Sequence, residues 1–137
     1  MNSEYAIAVH ILSLLNQGDG PYSSEYIAGS VGVNPVVIRN VTGRLRRAGL
    51  LHTRRGVTGA TLTRRADQIT LLDVYRAVDA PQSMLKVHQK PNPNCPVGAN
   101  IQCVLDDVFV QAQAALESRL EQVTLAEITS ALHEKAS

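Results

Sequence analysis

The chain has no tryptophan, one phenylalanine and four tyrosines, so aromatic packing cannot build its core, and Leu, Val, Ile and Ala must. Two cysteines are too few for the disulfide framework of a small secreted domain. No apolar run approaches the roughly 18 residues that a bilayer crossing takes, and the first residues lack a basic stretch followed by a cleavable apolar segment. Together these absences point to the cytoplasm and away from any membrane. Signatures of catalysis are missing as well: no glycine-rich phosphate loop, no nucleophile beside a base, no His-Glu-x-x-His pattern and no carboxylate cluster, so the chain reads as something other than an enzyme. The most informative lack is of acid. From Tyr26 to Ala66 there is no Asp or Glu, while Arg39, Arg44, Arg46, Arg47, Arg54, Arg55, Arg64 and Arg65 all fall there.

A length of 137 residues suits one domain, or one small domain with an appendage, and is enough to bury a core. The whole chain sums to +1 and the arginine stretch contributes +8, which leaves −7 for the remainder. Such a one-signed stretch inside a folded region suggests a polyanion partner, and the guanidinium group matches phosphate geometry.

Helix signals surround the stretch. Ser3 can cap a first helix that runs to about Asn16, carries Ile7, Ile11, Leu12, Leu14 and Leu15, and ends at "QGDGP". Ser23 or Ser24 caps a short second helix, with Gly32 as its stop. Asn34 followed by Pro35 starts a third helix that runs to about Ala48, where Gly49 ends it. Two short helices joined by the tight "VGVN" connection make a helix-turn-helix. "LLHTRR" and "ATLTR" flank "GVTG" directly afterwards, giving a two-stranded hairpin. The expected fold is therefore mostly α, a winged helix-turn-helix with a two-stranded β wing.

Beyond the wing, Thr70 caps a fourth helix that ends before Pro81. Residues 81–99 read as an irregular, cysteine-containing loop whose prolines break any periodicity. A long helix is expected from about Asn100 to Val123, with Ile101, Val104, Leu105, Val108, Ala112, Ala115, Leu116 and Leu120 on one stripe. It spans about 35 Å at 1.5 Å per residue, more than a small winged helix needs to cover, which makes it a homodimerisation helix. Thr124 and Glu127 form a capping box for a last helix. The organisation is thus 1–80 as DNA-binding domain, 81–99 as loop, and 100–137 as the dimerisation and C-terminal helices.

Projecting the third helix at about 100° per residue puts Ile38, Val41, Leu45 and Ala48 on the core side. Val36, Arg39, Asn40, Gly43 and Arg47 lie opposite, with Arg46 at the edge. Arg39 can read a guanine edge, Asn40 an adenine and Val36 a thymine methyl group. Arg44, Arg46 and Arg47, later in the helix, suit phosphates, which position without specifying. Gly43 costs about 1 kcal/mol relative to alanine inside a helix, and close approach to DNA would justify it. In the wing, Arg54 and Arg55 precede the Gly56 turn, so a guanidinium can enter a narrow minor groove.

With these residues in place, the chain resembles the Rrf2 family of bacterial winged-helix regulators, which includes the iron–sulfur cluster regulator, the nitric-oxide-sensing repressor and the cysteine-metabolism repressor, and in particular its YwnA-like branch. The resemblance covers nearly the whole chain and rests on "YAIAVHILSLL", "IRNVTGRLRRAGLL", the wing opening "RRG", "ITLLDVYRAVD" and "NCPVGANIQCVLDD". It implies a homodimeric DNA-binding transcription regulator, usually a repressor, whose long helix forms much of the dimer interface. Two features depart from the family. Its glycine-rich wing tip, Arg-Gly-Pro-Gly-Gly-Gly, is here Arg55-Gly56-Val57-Thr58-Gly59-Ala60, and its cluster-binding members carry three cysteines at six-residue intervals, whereas this chain has Cys95 and Cys103.

Three readings of the cysteine pair stay open. Cys95 and Cys103 can supply half of an iron–sulfur or metal site, completed by Glu4 or His10 of a partner subunit or by His88, although Ala8 stands where a companion ligand to Glu4 would fall. Cys95, near a helix start, can be a reactive thiol and redox switch with Cys103. Both can also be small apolar fillers, in which case no cofactor is held. His10, within an apolar helix, reads first as a core or interface residue. The expected function is a sequence-specific repressor, open to thiol or redox control, acting as a homodimer on double-stranded, pseudo-palindromic DNA. The competing expectation is a winged-helix module that meets an acidic protein without selective DNA binding.

Overall fold

The computed structural model describes residues 3–18, 20–78 and 96–136, and it realises the winged-helix layout. Helix α1 (Ser3–Gln17) buries Ala8, Ile11 and Leu12. Helix α2 (Ser24–Val31) starts where the Ser23 hydroxyl accepts the Tyr26 N–H, at 3.1 Å. It ends at Gly32, whose φ of 84° is the left-handed conformation that a helix stop demands and that glycine adopts without a steric penalty. Two residues on, Asn34 accepts the Val36 N–H at 2.9 Å, Pro35 occupies the first helical position, and α3 (Pro35–Arg47) begins. The helix-turn-helix is therefore fixed by caps that local sequence dictates.

Strands β1 (Leu51–Thr53) and β2 (Ala60–Leu62) pair antiparallel, with Leu51 opposite Leu62, His52 opposite Thr61 and Thr53 opposite Ala60. Below this ladder the Thr63 hydroxyl donates to the Gly49 carbonyl at 2.5 Å, tying the base of the wing to the end of α3. A short 3₁₀ turn, Ala66–Gln68, leads to α4 (Leu71–Ala77). The start of α4 carries a full capping box between Thr70 and Asp73. The core gathers Ile11, Leu12, Ile38, Val41, Leu45, Leu50, Ile69, Val74, Val78 and Leu125, each at 1% exposure or less. At about 1.5–3 kcal/mol per buried aliphatic side chain, this cluster is the main favourable term holding the helices together.

Two units divide the chain: residues 1–80 with 120–137, and residues 81–119. The C-terminal helix α6 (Leu125–Ala136) thus groups with residues 1–80 and not with most of the long helix, as the sequence had grouped it. The Leu125 N–H donates to the Ile69 carbonyl at 2.8 Å, the Leu71 N–H to the Val123 carbonyl at 2.9 Å, and Asn16 Nδ2 to Thr129 Oγ1 at 2.9 Å. Leu125 itself is fully buried. Of the capping box expected at α6, one half is made, with the Thr124 hydroxyl accepting the Glu127 N–H at 3.2 Å.

The other unit holds α5 (Pro96–Glu121) up to Arg119, and the helix begins four residues earlier than the expected Asn100. Pro96 can open a helix because the first N–H groups need no helical partner, so the proline taken for a loop residue is a helix start. Val97, Val104 and Val108 are exposed. With the exposed Ala112 and Ala115 they line one side of an apolar arc, whose other side carries the half-buried Ile101, Leu105, Leu116 and Leu120. The fourth helix stops being described at Val78, and the 81–95 part of the expected loop, with Cys95 and His88, lies outside the described residues.

Tyr5 links α1 to α4. Its hydroxyl donates to the Leu71 carbonyl at 2.6 Å and its ring meets Tyr75 edge-on, with centroids 5.6 Å apart. Burial first, and the neighbouring Tyr75 second, push the Tyr5 phenol up to about 12. The neutral phenol is the form the fold prefers, so its contribution is complete below the usual value near 10 and is lost as pH rises through 12. Urea unfolding stepped from pH 8 to pH 12 should show stability falling across that window. Tyr5→Phe should cost about 1 kcal/mol at pH 8 and make the alkaline fall shallower.

Candidate nucleic-acid interface

Helix α3 faces two ways because its sequence does. Ile38, Val41 and Leu45 are buried in the core, while Arg39, Asn40, Arg46 and Arg47 are exposed and Val36 keeps half its surface. Arg44, Arg46 and Arg47 occupy the last turn, where the negative end of the helix dipole favours cations, so part of their charge serves the helix itself.

The arginines do not all stand free. Acids from outside the acid-free stretch fold back onto four of them. Arg44 forms a hydrogen-bonded ion pair with Glu4 of α1, both side chains two-thirds covered. Arg39 lies 3.8 Å from Glu25 of α2, in an open pair with 55% and 71% of the two side chains exposed. Arg65 pairs with Asp67 at 2.6 Å, and Arg64 approaches Asp73 at 3.8 Å while donating to the Gln68 carbonyl at 3.2 Å. Arg46, Arg47, Arg54 and Arg55 are exposed with no acidic partner among the described residues. The unneutralised field is therefore narrower than the sequence suggests: it covers the end of α3 and the tip of the wing.

Two residues differ from their expected surroundings. Arg44, grouped with the phosphate contacts, is instead a bracket between α1 and α3. Gly43 lies on the outward arc, yet it is buried. A Cβ there would meet Arg47 Nη1 at 3.4 Å, so the Arg47 guanidinium lies back along its own helix beside the glycine. Sequence projection fixes the angle of a residue on a helix but not the fold-back of a long neighbour four positions on.

The hairpin presents Arg54, Arg55 and Gly56 exposed, in a turn closed by the Val57 N–H donating to the Arg54 carbonyl at 3.1 Å. Sequence reasoning passed over a stacked tyrosine pair beside the helix-turn-helix, Tyr22 and Tyr26, with ring centroids 5.0 Å apart and 16° between planes. Tyr26 is 58% exposed. Their spacing of four residues across a helix start is the signal that would have found them.

With this geometry in hand, comparison with known proteins decides the family. Residues 1–131 match the model of Rrf2, described as an iron-dependent transcriptional regulator. The chain belongs to the Rrf2 family. A relative in Bacillus subtilis (strain 168), YwnA, named as a candidate HTH-type transcriptional regulator, is 45% identical over 132 residues, covering 96% of this chain and 98% of YwnA. The crystal structure of a candidate DNA-binding protein shares 43% identity at a TM-score of 0.76 over 91% of this chain and 97% of that one. The IscR structure from T. potens, at 24% identity, shares the fold with a TM-score of 0.75 over 100% of this chain and 90% of its own. The protein is thus a winged-helix transcriptional regulator, and among the described residues no helix is long and apolar enough to cross a membrane.

Iron in the family description calls for a donor set, and the described residues do not offer one. Glu4 is engaged by Arg44, and His10 Nε2 lies 3.1 Å from the Ser30 hydroxyl. Six residues apart on α1, the two point to different sides of the helix. Cys103 is a free, exposed thiol on α5. No group of three or more His, Cys, Asp or Glu among the described residues is arranged to hold a metal ion.

Removing the Arg44 bracket should act on the fold more strongly than removing Arg47. Arg44→Ala should lower unfolding stability by about 1–2 kcal/mol, the range for a partly covered pair that leaves a carboxylate behind. Arg47→Ala, which gives up only an exposed charge at the helix end, should shift the urea midpoint by less than half as much. Equal shifts in the two midpoints would remove the distinction.

Proposed function

We propose that the protein is a homodimeric, sequence-specific DNA-binding repressor that lays α3 in the major groove and reaches the minor groove with its wing. One observation carries the reading: the four arginines of the acid-free stretch without an acidic partner among the described residues, Arg46, Arg47, Arg54 and Arg55, are all exposed and belong to the two elements that a winged helix directs at DNA. Arg39 and Asn40 read bases in this scheme. The open Arg39–Glu25 pair fits it, because an exposed pair of this kind is worth about 1 kcal/mol at most and yields readily to a guanine edge. Arg46 and Arg47 contact phosphates, and Arg54 and Arg55 enter the minor groove.

The partner DNA is double-stranded and pseudo-palindromic, with half-sites roughly 34–36 Å apart as a two-fold dimer requires. The exposed apolar side of α5, with Val97, Val104 and Val108, supports pairing of two copies along that helix. A cluster-free regulator is in keeping with the engaged Glu4 and His10. Thiol control fits the free, exposed Cys103 and the fold shared with CymR, the global cysteine regulator of B. subtilis, which is 23% identical at a TM-score of 0.71.

Selection of binding sites from a random DNA pool tests the reading, run under reducing and oxidising conditions and paired with an absorption spectrum of anaerobically purified protein. A palindromic consensus and a spectrum without cluster bands are expected. Recovery of no preferred sequence would favour a protein-interaction module. On the selected site, Arg39→Ala should cost about 1–3 kcal/mol and relax preference at one base position. Arg47→Ala should weaken every sequence alike and lower the salt slope by about 1. Equal effects of both substitutions on all sequences would overturn the division of roles.

A further inference from the structure

The wing is a slight structure. Its strands hold three residues each, and a hairpin of that size is marginal without tertiary support. At the base Leu51 is buried, and Ala60 and Leu62 pack against the core. Two grooves border the ribbon farther out. His52, Arg54 and Thr61 line one of about 560 Å³, together with Pro21. Thr53 lines another of about 410 Å³, together with Ser23, Thr42 and Arg46. The two share Leu15, Tyr22 and the tip residues Val57 to Ala60.

The tip touches the rest of the unit. Gly59 sits against the loop that joins α1 to α2: a Cβ on it would lie 2.9 Å from Pro21 Cβ, 3.4 Å from Pro21 Cα and 3.4 Å from the Tyr22 nitrogen. Its φ is 95°. Gly18 and Gly56 also have positive φ, yet nothing stands within 4 Å of the Cβ either would carry. A left-handed turn explains all three glycines. Close backbone approach to another part of the chain explains Gly59 and not the other two.

We propose that Pro21 is the seat of the wing, and that the Gly59 contact on it aims Arg54 and Arg55 at DNA. The inference rests on the reading of those two arginines as DNA contacts, and it makes Pro21 and Gly59 positioning residues that touch no nucleotide themselves. Adding a methyl group at Gly59 must push the tip away from Pro21, because real Cβ atoms do not approach to 2.9 Å. The arginines at the other end of the six-residue tip move with it.

The test is a double-mutant cycle on affinity for the selected DNA site at fixed salt, with melting curves recorded for each variant. Arg54→Ala/Arg55→Ala should itself weaken binding by about 10-fold or more, two phosphate or minor-groove contacts being lost. Gly59→Ala should weaken binding by about 10-fold in the otherwise unchanged protein and by less than about 2-fold in the arginine-free background, because a displaced wing has nothing left to lose. Gly18→Ala carries the same positive-φ strain without a contact and should stay within about 2-fold. If Gly59→Ala does not fold, Pro21→Gly withdraws the seat while leaving the wing sequence intact, and the same dependence on the arginines is expected. Equal losses in both backgrounds, or a loss for Gly18→Ala matching that for Gly59→Ala, would overturn the seat alone. No loss for Arg54→Ala/Arg55→Ala would overturn the reading of the wing, and the seat with it.

Discussion

Ile38, Val41 and Leu45 leave at most 1% of their surface to solvent, and the helix that carries them has thirteen residues in which to offer an opposite face. Everything that the protein presents to a partner from α3 is constrained by that burial. A rotation of α3 by one residue position, about 100°, would expose Ile38 or Leu45 and bury a guanidinium, at a cost of several kcal/mol per misplaced group. The core thus sets the angle of the outward residues more firmly than any polar contact. The caps at Asn34 and Gly32 set where the helix begins, and hence which residues stand in its first turn.

Charge is arranged around this constraint by folding and not by sequence neighbourhood. Glu4, Glu25, Asp67 and Asp73 lie before or after the arginine stretch, and each reaches back to it. The result is graded. Arg44 is fixed by a two-thirds covered pair, Arg39 is loosely held, and Arg46, Arg47, Arg54 and Arg55 are left to the solvent or to a polyanion. A protein that has to bind one DNA sequence among many benefits from such grading, because charges committed to the fold raise stability without raising affinity for every phosphate backbone.

Local signals made most of the fold legible in the sequence. The Ser23 and Asn34 caps, the Gly32 stop, the hairpin around "GVTG" and the Thr70 cap are each decided by residues within a few positions of one another, and each appears where those residues place it. Long-range matters were not legible. Nothing near Arg44 announces Glu4, forty residues away, nothing in α6 announces its seat against Ile69, and helical projection could not foresee that Arg47 would cover Gly43. Pro96 was misread for a different reason. A proline is equally at home in a loop and in the first turn of a helix, and only the residues after it separate the two.

Recognition helix and wing are consequently held by forces of different kinds. Burial of a continuous apolar face anchors α3, and one close contact at Gly59 steadies a tip bordered by two grooves. Displacing α3 means opening the core, whereas shifting the wing tip leaves the buried Leu51 and the Thr63–Gly49 hydrogen bond at its base in place and disturbs a single glycine against a proline. The energy separating alternative positions of the tip is thus smaller than that separating alternative positions of α3. Any change that tunes affinity without abolishing base reading therefore finds least resistance at the loop between α1 and α2, where the seat lies, and not in the helix that reads the sequence.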